Sequence, residues 1–122
     1  MTPASPLHVK QVAFAQLVAK LIQYIANQGY EVTLGEAYRT PEQAALNAQA
    51  GTGIKNSEHT KRLAIDLMLF KDGVYLTASA DYKPFGDWWV EQSTPECECA
   101  WGGNFTHLQD GNHFSVADGG VE

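Results

Sequence analysis

The chain's apolar positions fall into two periods, one helical and one extended. From Val9 to Ile25 the apolar residues Val9, Val12, Ala13, Leu17, Leu21 and Ile25, with Phe14, Val18 and Ile22 beside them, make a wide stripe at helical spacing. Ser5 and Pro6 precede it as N-cap and first helical residue, and Gly29 follows as a stop. Tyr30 to Arg39 reads as a strand, with Val32, Leu34 and Tyr38 alternating against Thr33, Gly35 and Ala37. Thr40-Pro41-Glu42-Gln43 is a capping box that opens a short Ala-rich helix ending near Gly51. The strongest extended signal is Leu63 to Phe70, an apolar run broken by Asp66 alone, which predicts a strand buried on both faces. Lys71-Asp72-Gly73 is a hairpin turn signal leading into Val74-Tyr75-Leu76. Thr77 to Ser79 can cap a helix that continues to about Glu91 and carries Tyr82, Phe85, Trp88 and Trp89, followed by a loop from Gln92 to Ala100. The last strand is His113 to Val116, with His113 and Ser115 on one side and Phe114 and Val116 on the other. From Ala117 the tail is expected to fray.

A carboxylate inside a buried strand is costly unless a cation compensates it. Asp66 therefore demands a partner. His59 lies in the polar segment just upstream, and Asp110-Gly111-Asn112-His113 supplies another imidazole and another carboxylate. His59, Asp66 and His113 can together hold a zinc ion with an open fourth position. Asp110, three residues before His113, can act beside such an ion as a general base. Each residue also has a plainer reading: Asp66 paired with Arg39, His59 as a structural histidine, His113 as a strand-end residue facing solvent. His107 is a further imidazole in a loop, and His8 is expected at the surface. Arg39, at a strand end directly before a helix N-terminus, is well fixed for a functional cation.

Length and charge narrow the class. A chain of 122 residues fits one domain, residues 1–122, able to bury a normal core. The net charge of −6, without a basic cluster, argues against nucleic acid as a partner. No apolar run reaches membrane-spanning length, and no secretory signal is visible. Cys97 and Cys99 are too close for an unstrained disulfide, and a reduced pair in a loop is expected.

Ser57-x-His59 with Ala64 and Asp66 resembles the S-x-H-x-x-G-x-A-x-D signature of M15-type zinc peptidases, and Asp110 to Phe114 resembles their closing D/E-x-x-H element. The likeness runs from about Val32 to Ser115 and is strongest to the small single-domain phage endolysins. Arg62 departs from the pattern, standing where the signature has glycine. The resemblance implies an α+β fold, a small mainly antiparallel sheet flanked by helices, of the Hedgehog/D,D-peptidase type. It also implies Zn2+ on His59, Asp66 and His113, Asp110 as general base, Arg39 at the scissile carbonyl and oxyanion, and Ser57 contacting substrate. The implied substrate is the bacterial peptidoglycan stem peptide, cut between L-alanine and D-glutamate by a monomer. That enzyme would be held in the host cytoplasm until holin-mediated release and then act on the cell wall. The alternatives are a D-alanyl-D-alanine carboxypeptidase or dipeptidase, and a non-catalytic zinc-stabilised binding module.

Overall fold

The computed structural model describes residues 5–51, 53–54, 56–106, 109–119 and 121–122. Its centre is β2 (Ala64–Lys71), which antiparallel partners flank on both sides. Along one edge runs β1 (Glu31–Leu34), in register from Glu31 opposite Phe70 to Leu34 opposite Leu67. The other edge is shared: β5 (His113–Val116) covers the first half of β2 and β3 (Val74–Leu76) the second. Outside β5 lies β4 (Cys99–Trp101). The α+β class and the antiparallel sheet thus hold, and β4 is a strand where a loop was expected.

Two helices close one face of the sheet. In α1 (Pro6–Asn27), Ser5 Oγ accepts from the His8 amide at 3.1 Å, and Gly29 ends the helix region at φ +86°. Its Phe14, Val18, Leu21 and Ile25 meet Tyr82, Phe85 and Trp89 of α3 (Ser79–Glu91) over Ile65, Leu67 and Leu69 of β2. The sheet's Phe114 and Val116 complete this core. Trp89 stands edge-on to both Phe14 and Phe114, with centroids about 6 Å away, and its Nε1–H donates to Ser115 O at 3.0 Å. Trp101 packs flat against α3 at Gly86, where any Cβ would fall 2.1 Å from its ring.

The expectation that β2 is buried on both faces is corrected. Ile65, Leu67 and Leu69 enter the core, whereas Asp66, Met68 and Phe70 are half-buried on the opposite face. The strand alternates after all, with apolar residues even on its partly open side, so Asp66 does not sit in the hydrophobic interior. The predicted strand over 30–39 stops at Leu34. Beyond it the chain bends: the amides of Gly35 and Asp66 reach Asp66 O and Glu36 O at 2.7 and 2.8 Å. A Cβ on Gly35 would lie 2.9 Å from Asp66 O, so this bend needs glycine. The helix α2 (Pro41–Gln49) forms as its cap predicts, Thr40 Oγ1 accepting from the Gln43 amide at 3.1 Å. The tail is not frayed, because Asp118 is held by two lysines and Glu122 returns to β5.

Candidate metal centre

His59 is carried by a 3₁₀ turn, Glu58–Lys61, which Ser57 caps by accepting from the His59 amide at 3.2 Å. The turn ends at Arg62 in the left-handed conformation, φ 58° and ψ 36°, so arginine adopts the backbone that the signature glycine would supply. Its guanidinium stacks on Tyr38 at 4.1 Å from the ring centre, toward a cleft against α1. His113 arrives from β5, opposite Asp66 in the ladder. The turn before it is fixed three times over: the Asp110 amide donates to Gly102 O at 3.0 Å, the His113 amide to Asp110 O at 3.0 Å, and the Gly111 amide to Ser79 Oγ at 3.1 Å. Ser79 thus anchors this turn and does not cap α3.

The donor atoms converge. His59 Nε2 and His113 Nδ1 stand 3.3 and 3.7 Å from Asp66 Oδ1, and all three ligand atoms lie within 4.8 Å of one another. The far nitrogen of each ring is engaged outward, His59 Nδ1 with Ala37 O at 3.0 Å and His113 Nε2 with Glu122 O at 3.2 Å. A carbonyl only accepts, so both protons belong on the outward nitrogens and both inward nitrogens present lone pairs. Asp66 Oδ1 is buried without a hydrogen-bond partner. Three electron-pair donors facing one another require a cation. Tetrahedral zinc, with bonds of about 2.0–2.1 Å, separates its ligand atoms by about 3.4 Å, close to the spacings from Asp66. The residues fit the metal.

Burial alone would raise the Asp66 carboxyl, but His113 and His59 outweigh it and hold it at about 2. Burial likewise works to lower the His59 pKa, yet Asp66 and the Ala37 carbonyl raise it overall. Both shifts arise when a proton stands on an inward imidazole nitrogen, the place a metal would take against the Asp66 charge.

A groove of about 230 Å³ opens over this centre, with Arg39, Ser57, Phe105 and Asp110 in its walls. Asp110 is exposed to it, while surrounding protein and then the Asp66 charge raise its carboxyl above the ordinary range, partly opposed by His113, His59 and Arg39. Arg39 pairs with Glu36, not with Asp66: Nε donates to Glu36 Oε1 at 3.0 Å and Nη2 to the same oxygen. Its Nη1 lies beside Gly53. Glu36 stands three residues before Arg39, a spacing visible in the sequence. His59, Asp66, His113, Asp110, Arg39 and Ser57 all line this site or its floor, with the Ser57 hydroxyl already accepting from the His59 amide. Arg62 and Lys61 point elsewhere, Lys61 to Asp118 at 3.1 Å and Glu58 at 3.5 Å. His107 lies outside the described residues. Cys97 and Cys99 are free, buried and not part of any metal cluster among the described residues, and burial pushes the Cys99 thiol up to about 11.

An α+β sheet with a two-histidine, one-aspartate centre in an open groove, and a further carboxylate on its wall, has the parts of a metallopeptidase. The family model described as D-alanyl-D-alanine carboxypeptidase, of the M15 peptidases, matches residues 50–116, more than half of the chain. The chain belongs to the M15 family of zinc peptidases. Two solved structures share its fold. The L-Ala D-Glu endopeptidase ChiX of Serratia marcescens superposes with a TM-score of 0.65 at 22% identity, over 84% of this chain and 79% of that one. The vancomycin-resistance D,D-pentapeptidase VanY from a VanB-type cassette, solved as a mutant in complex with Zn(II), gives 0.52 at 16% identity, over 88% and 72%. No curated protein sequence matches significantly.

Proposed function

We propose that the protein hydrolyses the L-alanyl-D-glutamate bond of the peptidoglycan stem peptide, as a monomeric endolysin of the single-domain phage type acting on the wall after release from the cell that makes it. The observation that carries the reading is the convergence of His59 Nε2, Asp66 Oδ1 and His113 Nδ1 beneath a groove walled by Asp110 and Arg39. These three atoms would hold the zinc, which supplies Lewis-acid activation of water and of the scissile carbonyl. Asp110 takes the proton from the attacking water and returns it to the leaving amine, a role that its raised pKa suits. Arg39 stabilises the developing oxyanion, with Glu36 holding the Nε and Nη2 edge of the guanidinium so that the Nη1 side is presented in a fixed orientation. Ser57 sets the groove wall by fixing the His59 turn.

Two features favour an internal bond over a terminal one. A carboxypeptidase needs a cation for the free carboxylate of its substrate, and Arg39 is the one cationic side chain among the described residues of the groove. ChiX, with the higher structural similarity, is an L-Ala D-Glu endopeptidase. The family description favours the other reading, release of terminal D-alanine. Mass spectrometry of purified sacculi after digestion separates them. The proposal expects stem peptides freed from glycan strands, with new amino groups on D-glutamate. Free D-alanine with intact L-alanyl-D-glutamate bonds would assign the carboxypeptidase activity instead.

A further inference from the structure

The chain's last residues grip both imidazole-bearing elements. Asp118 accepts from Lys10 of α1 at 2.9 Å and from Lys61 at 3.1 Å, two residues from His59 in the same 3₁₀ turn. Lys10 also donates to Ala117 O at 3.2 Å. Asp118 and Val121 then exchange backbone hydrogen bonds of 3.0 and 3.1 Å across a turn in which Gly119 adopts φ +60°. This turn carries Glu122 back to β5, where its main-chain carbonyl accepts from Ser115 Oγ at 2.8 Å and from His113 Nε2 at 3.2 Å. The second bond is the one that leaves the His113 Nδ1 lone pair aimed at Asp66. Ser115, on the same face of the strand two residues on, holds the carbonyl in place.

We propose that residues 117–119 and 121–122 form a strap that positions His113 for the metal, the Glu122 carbonyl being its orienting acceptor. The inference rests on the zinc reading above and adds to it a part of the chain outside the signature elements. Partners of this kind fix the tautomer and ring orientation of a ligating histidine, and losing one weakens metal binding by about 10- to 100-fold. Zinc affinity, measured by competition with a chromophoric chelator, should fall by about that factor in a chain ended after Asp118. Asp118→Ala, which keeps Glu122 but releases its anchors, should shift affinity in the same direction by less. The NMR signal of the His113 Nε2 proton, slow to exchange in the zinc-loaded wild type, should be lost in the shortened chain; removing packing alone would not do this. If the shortened chain does not fold, Asp118→Ala carries the test with the same two readings. A folded variant with wild-type affinity and a persisting Nε2 proton would overturn the strap. A wild type that binds no zinc would remove the underlying reading, and is recognised by the absence of any affinity to compare.

Discussion

Asp110 is the residue on which the chemistry turns, and its setting differs from that of Asp66 in the same site. Asp66 is held low where a proton or a metal lies between it and the two imidazoles, whereas Asp110 is crowded by protein and by the Asp66 charge, which favour its neutral form. Two carboxylates in one site are thereby pushed apart, one toward ligation and the other toward proton transfer. Asp110→Asn keeps size and hydrogen-bonding capacity while removing the basic oxygen. Zinc content and thermal stability should stay at the wild-type level, and turnover on sacculi should fall by about 10²- to 10⁴-fold, the contribution of a positioned acid–base group. An Asn variant that keeps most of its turnover would move the base elsewhere, with Glu58 of the groove lining and Glu36, already engaged with Arg39, the next carboxylates.

Among the elements, the 3₁₀ turn and its left-handed end set where His59 points. A left-handed arginine costs about 1–2 kcal/mol. Stacking of its guanidinium on Tyr38 contributes about 0.5–1 kcal/mol in return. Arg62→Gly removes both, so stability from urea unfolding should change by no more than about 1 kcal/mol. Arg62→Val keeps the strained backbone and loses the stack, and should cost about 1–2 kcal/mol. A Gly variant destabilised as much as the Val variant would mean that the stack, which both lose, and not the backbone governs the turn. The same elements show what the sequence could convey. The helix stripe of α1, the caps at Ser5 and Thr40 and the β2 run were legible because each is a local pattern. The pairing that sets Asp66 against His113 is a register between strands 47 residues apart, and nothing local encodes it. Cys99-Ala100-Trp101 is too short to declare itself a strand without β5 beside it. The tail looked free because its anchors, Lys10 and Lys61, lie over 50 residues away in sequence. The misreading of β2 as buried on both faces arose because Met68 and Phe70 are apolar on a face that is only half-covered.

For the molecule as a whole, one face of the sheet is the scaffold and the other is the site. Helices α1 and α3 bury Ile65, Leu67, Leu69, Phe114 and Val116, and the alternation of the strands then obliges Asp66, His113 and Ser115 to emerge on the far side. A core that fixes the register of β2 against β5 therefore fixes the metal geometry too, since a slip of one residue would turn Asp66 inward. The proposed activity depends on that geometry holding one zinc. Elemental analysis of protein purified without chelator, wild type beside His113→Ala, tests it directly. Close to one zinc per chain in the wild type, and its loss in the variant with both proteins folded, is the predicted result. A metal-free wild type that still digests sacculi would contradict it.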